Sequence, residues 1–199
     1  MSVTASIMNK KNHQRVATIT NKLSQSGWLE RANSLTMSGQ GEVFYSPYYR
    51  QLLATDLPRK QITIKSNGIL FNESNWQLIA NKYETINVEI SIDAATAETY
   101  EKLRRGGKFN VLMKNLNMLS NLHKLKRINR LQLYFVVQRA NFHEMIAFVE
   151  LGRQLGVDGV YFKCMSDWKS MNKRDFSREC LIVKDKYLDY ELWKVLQNP

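Results

Sequence analysis

The chain has 199 residues, 44% hydrophobic and 24% charged, a balance that specifies a globular core and excludes a disordered tail. Nine glycines and three prolines exclude collagen-like and low-complexity character, and no apolar run approaches the roughly 20 residues of a membrane helix. The net charge of +11 is local: ten Lys and Arg, with no Asp or Glu, fall within residues 102–143, leaving 19 basic and 18 acidic residues elsewhere.

Residues 1–8 lack the basic start and apolar stretch of a secretion signal. Two cysteines, Cys164 and Cys180, give neither a disulfide framework nor the ligand spacing of a structural zinc site. A cytoplasmic protein is the expectation, with no metal site assigned.

In chain order, residues 10–31 carry Val16, Ile19, Leu23 and Leu29 at helical spacing and are expected to form a helix. Residues 34–38 form the first expected strand. Ser46-Pro47 then opens a helix with an N-cap and a proline at the first helical position. Residues 60–65 are the second strand, followed by an Asn72-capped helix through Trp76, Leu78 and Ile79.

Residues 86–92 are the third strand, and Thr96 opens a helical turn. Phe109, Leu112, Met113, Leu116, Leu119 and Leu122 recur at threes and fours, giving a long amphipathic helix. Residues 131–137 are the fourth strand. Asn141 and Glu144 have the spacing of a capping box before a helix that Gly156 closes. Residues 157–163 are the fifth strand, and residues 186–197 a short terminal helix. Strand and helix alternating at this spacing specify βαβ units and a parallel sheet.

In such sheets ligands bind at the carboxyl ends of the strands. Here those ends run into Gly39-Gln40-Gly41-Glu42, Ser66-Asn67-Gly68, Ser91-Ile92-Asp93, Val137-Gln138-Arg139 and Lys163-Cys164. Each piece alone also has an ordinary reading as a turn, yet their shared placement directs polar side chains to one rim.

These segments carry a resemblance. Residues 35–42 (LTMSGQGE) resemble the glycine-glycine-glutamate segment of radical S-adenosylmethionine (radical SAM) proteins, and Ser66-Asn67-Gly68 resembles their threonine-asparagine-glycine turn. Residues 90–107 (ISIDAATAETYEKLRRGG) are similar to the family's fourth-strand stretch, and residues 138–144 and 155–158 continue the likeness. The ordered set spans residues 34–168 and is most similar to members with a following cysteine-rich SPASM domain.

The resemblance implies an α/β fold, a partial (β/α)6 barrel of parallel strands, here without its first strand. It implies S-adenosylmethionine as cofactor and a peptide or small molecule as substrate. Carried over by position, Gly39, Gln40, Gly41 and Glu42 would line the methionine amino group, with Ser66 and Asn67 beside them. Ser91 and Asp93 would lie near the ribose, and Gln138 and Arg105 would complete the rim. Arg104 and Arg105 suit a carboxylate, which the guanidinium fork binds at two points.

One departure matters. The family's [4Fe–4S] cluster requires three closely spaced cysteines, and this sequence has no cysteine before Cys164. The expectation is a truncated radical SAM core over residues 1–165, with residues 166–199 leading towards a SPASM domain, not competent alone for radical chemistry. The alternative is a non-catalytic module binding nucleic acid or an acidic protein through its basic stretch. Few aromatics interleave that stretch, and no nucleic-acid reader motif is present, which argues against nucleic acid.

Overall fold

The computed structural model describes residues 10–38, 42–54, 59–167, 172–182 and 189–197. Their order is α1 (Lys10–Gln25), α2 (Trp28–Arg31), β1 (Ser34–Met37), α3 (Pro47–Ala54), β2 (Arg59–Ser66), α4 (Glu73–Trp76), β3 (Tyr83–Ser91), α5 (Ala97–Leu103), α6 (Phe109–Lys124), β4 (Arg130–Val137), α7 (Met145–Leu155), β5 (Gly159–Cys164), α8 (Lys173–Glu179) and α9 (Tyr190–Leu196). The five strands form one sheet in the order β1-β2-β3-β4-β5, every neighbouring pair parallel. Among the described residues β1 and β5 each have a single strand neighbour, so the sheet is an open, partial barrel.

Sequential order decides where the helices go. Parallel crossovers share one hand, so connections that always step the same way place their helices on one face. Burial along β3 records this. Ile86, Val88 and Ile90 are buried, whereas Thr85, Asn87, Glu89 and Ser91 on the opposite face are half-exposed. The buried face packs against Leu112, Leu116 and Leu119 of α6 and Phe148 of α7. Phe135 of β4 meets the Phe148 and Phe162 rings at 4.9 and 5.4 Å. Each fully buried side chain of that size stabilises by about 1.5–3 kcal/mol.

The helix starts follow from their caps. Asn72 accepts a hydrogen bond from the Asn75 amide, and Thr96 from the Thr99 amide. Two local expectations need correction. Residues 10–31 are not one helix, because Gly27 adopts a left-handed conformation (φ 69°) that ends α1 and starts α2. Asn141 and Glu144 do not form a capping box, because Asn141 Oδ1 accepts the Gln138 amide and the Glu144 carboxylate is taken by Ala95 and Thr96, far away in sequence.

The last described segments return to the strand ends. The Arg139 amide donates to the Glu179 carbonyl at 2.9 Å, and the Arg139 guanidinium pairs with Asp189 at 2.7 Å. Leu181 and Leu192 are buried in the common core. No helix among the described residues is long and apolar enough to cross a membrane.

Candidate functional site

The carboxyl ends of β1 and β2 are joined by Glu42. Its Oε1 accepts the Ser66 hydroxyl at 2.8 Å, and its Oε2 accepts the Asn67 amide at 2.9 Å. Asn67 Oδ1 in turn accepts the Ile69 amide, which tightens the turn. Gly68 is required at its centre: φ is 81°, and an added Cβ would stand 2.7 Å from Leu112 Cδ1. Glu42, Ser66 and Asn67 are therefore brought together, with Glu42 tying the two strand ends. Gly39, Gln40 and Gly41 lie outside the described residues.

The end of β3 forms a second group. Asp93 takes a left-handed conformation (φ 68°), uncommon for a residue with a side chain, and its carboxylate faces inward. Its Oδ1 accepts the Val136 amide at 2.7 Å, stitching β3 to β4, and its Oδ2 accepts Arg104 Nη2 at 2.6 Å. The same Nη2 donates to Ser91 Oγ at 2.6 Å. Arg104 Nε is buried and has no hydrogen-bond partner. A buried guanidinium N–H without an acceptor is costly, and it leaves this donor open to an oxygen from water or a ligand.

Tyr100, one helical turn before Arg104, links the two groups. Its ring is 1% exposed and packs 5.6 Å from Phe109. Burial raises its phenol pKa. The nearby Arg104 charge opposes that shift, and the charges of Asp93, Glu101 and Glu42 add to it. Tyr100 thus lies within electrostatic reach of both the Glu42 and the Asp93 ends of the rim.

A third group braces the rim from beneath. Glu144, before α7, accepts hydrogen bonds from the Ala95 amide and the Thr96 hydroxyl, both at 2.6 Å. Asn141 is fully buried and donates to the carbonyls of Asp93 and Val136 while accepting the Gln138 amide. Of the residues expected on the rim, Gln138 lies half-buried at the end of β4, and Arg105 points outward as an exposed side chain. The neighbouring Arg104 holds the inward position instead.

Sequence reasoning placed Arg104 only as a carboxylate partner and missed Tyr100, Asn141 and Glu144 as parts of the rim. Arg104 follows the last residue of α5 with a non-helical backbone (φ −99°, ψ 71°), so no helical spacing in the sequence distinguishes it from Arg105. The basic stretch is not one stripe either: Arg104 pairs with Asp93, Lys108 with Glu101 and Arg139 with Asp189.

The donor set decides which cofactors fit. A cluster needing three thiolates does not fit this chain, which holds only Cys164 and Cys180. Nor do the described residues contain any group of three His, Cys, Asp or Glu able to hold a metal. A small zwitterionic ligand suits the donor set: Arg104 Nε–H lacks an acceptor, Ser91 and Asp93 oxygens lie on Arg104 Nη2, and the Glu42 carboxylate stands at the neighbouring strand ends.

No protein-family model and no curated protein matches this sequence. Among solved structures, the fold is similar to Streptococcus suis SuiB bound to the precursor peptide SuiA, with a TM-score of 0.58 and 17% identity over 74% of this chain and 33% of that one. It is also similar to TYW1 with a lysine-pyruvate adduct bound, with a TM-score of 0.51 and 20% identity over 85% of this chain and 56% of that one. The chain spans about a third of the length of the first structure and just over half of the second. The likeness is one of fold, an open parallel α/β sheet of the TIM-barrel-like kind.

Proposed function

We propose that the rim binds S-adenosylmethionine, and that this chain by itself does not cleave it. The observation that carries the reading is Arg104, anchored through Nη2 to Ser91 and Asp93 while its buried Nε–H has no partner. That N–H is a ready donor for the methionine carboxylate. Glu42, Ser66 and Asn67 stand at the neighbouring strand ends, where the resemblance puts the amino group, and Ser91 and Asp93 offer oxygens to the ribose hydroxyls.

When bound, S-adenosylmethionine supplies a sulfonium whose reductive cleavage yields a 5′-deoxyadenosyl radical in the family that the motifs resemble. This chain's residues would bind and orient the cofactor. They would not deliver the electron, since two cysteines cannot provide three cluster thiolates. SuiB, similar in fold, is bound to a precursor peptide, and we extend a peptide substrate to this chain as part of the proposal.

Isothermal titration of the full chain with S-adenosylmethionine tests the binding half: saturable heat is expected, and none at millimolar ligand contradicts it. Anaerobic incubation with iron, sulfide, dithionite and S-adenosylmethionine tests the other half. No 5′-deoxyadenosine is expected, and its formation contradicts the reading.

A further inference from the structure

Parallel sheets are normally covered on both faces by apolar side chains. Here the face opposite the helices carries several polar side chains, ordered into rows and ranging from buried to exposed. Lys65, Glu89 and Gln132 share one row by register across β2, β3 and β4, and Ser91, Tyr134 and Tyr161 form the next row towards the rim. Lys65 Nζ pairs with Glu89 Oε2 at 2.7 Å. Gln132 Nε2 donates to Tyr161 Oη at 2.9 Å.

The two tyrosine rings are stacked, with centroids 5.0 Å apart and planes 15° apart. Tyr161 leans back along its own strand over Gly159, where an added Cβ would stand 3.1 Å from the ring. The Tyr161 hydroxyl is engaged by Gln132 on the sheet, so what this residue presents outward is mainly ring surface. Tyr161 is 44% exposed, a large flat ring surface beside polar side chains. Tyr134 is the register partner of Ser91, which Arg104 holds at the rim.

We infer that the Tyr134–Tyr161 face binds an uncharged aromatic ring of the substrate. Charge selects this occupant. Glu89 and Lys65 are paired, so a cation would have to displace Lys65 and an anion would have to displace Glu89. A neutral ring needs neither change and extends the existing stack, a geometry that aromatic pairs favour beyond area burial alone. The inference rests on the proposed function in one respect: it makes the ring part of the molecule held beside the cofactor at the adjacent rim.

The test uses the full chain, 15N-labelled, without S-adenosylmethionine, titrated separately with N-acetyl-tryptophanamide, N-acetyl-leucinamide and N-acetyl-argininamide while amide shifts are followed. The tryptophan probe should bind about fivefold more tightly than the other two. Tyr161→Ala should remove that preference, Tyr161→Phe should keep it, and Gly159→Ala should weaken it by tilting the ring. Equal binding of the three probes, a preference for the arginine probe, or an aromatic preference that survives Tyr161→Ala would overturn the inference. Because cofactor is absent from the titration, a missing aromatic preference beside intact S-adenosylmethionine binding would refute this face alone. The reverse pair of results would refute the cofactor site and leave the ring site standing.

Discussion

Glu144 holds Thr96 at two atoms: Oε1 accepts the threonine hydroxyl at 2.6 Å and Oε2 accepts its amide at 3.2 Å. The two residues are 48 positions apart, so the turn leaving β3 is locked to the start of α7. With Asn141 bonded to the Asp93 carbonyl, this brace sets where Asp93 and Arg104 stand on the rim. The same Thr96 hydroxyl accepts the Thr99 amide and so starts α5, the helix that presents Tyr100 and Arg104.

The brace makes stability depend on acid pH. Burial works against the Glu144 charge, but hydrogen bonds from the Thr96 and Thr99 side chains and the Ala95 and Thr96 amides outweigh it and hold the pKa below the ordinary glutamate value. A depressed folded-state pKa contributes stability that is present above the unfolded value, about 4.3, and is lost as pH falls through the folded value. Glu144→Gln keeps the size but turns an amide N–H₂ towards backbone donors, and should cost about 1–3 kcal/mol in urea unfolding at neutral pH. The variant should lose less stability than the parent between neutral and acid pH. Equal acid sensitivity would show that Glu144 does not carry it.

Gly68 should tolerate no side chain. Its left-handed backbone costs a non-glycine residue about 1 kcal/mol or more, and the Cβ would stand 2.7 Å from Leu112 Cδ1 and 3.0 Å from Ile90 Cγ2. Overpacking of that kind adds about 1–3 kcal/mol. Gly68→Ala should therefore shift the denaturation midpoint strongly downward, whereas Gly106→Ala, with no atom within 4 Å of the added Cβ, should show backbone strain alone. Similar losses for the two variants would contradict the packing account.

The open edge at β1 should promote self-association. Among the described residues Ser34–Met37 pairs only with β2, and an unpaired strand edge is a template for another chain. Light scattering should show mass rising with concentration, and Thr36→Lys, at an exposed edge position, should suppress the rise. A monodisperse monomer at high concentration would rule out a free edge.

Much of this architecture was legible because periodicity and turn chemistry agree along the chain. Val88, Ile90, Phe135 and Val137 mark strands by β-branching and aromaticity, and Thr96 and Asn72 mark helix starts by local hydrogen bonds. The break at Gly27 was not legible, since apolar spacing continues through it from Leu23 to Leu29. The role of Glu144 was hidden for a different reason: its local spacing imitates a capping box, while its partners lie across the sheet. Choosing Arg104 over Arg105 likewise required knowing which side of α5 faces Ser91 and Asp93.

The central claim concerns Arg104 and a carboxylate, and one comparison addresses it directly. Titrations of the chain and of Arg104→Lys are run with S-adenosylmethionine and with its decarboxylated analogue. A lysine replaces the planar guanidinium donors with a single ammonium that cannot reproduce their directed geometry. The parent should prefer the carboxylate-bearing ligand by about tenfold, the order of a charge-assisted hydrogen bond, and Arg104→Lys should erase most of that preference. Equal affinity of the parent for both ligands, or a preference unchanged in Arg104→Lys, would contradict the assignment of the rim.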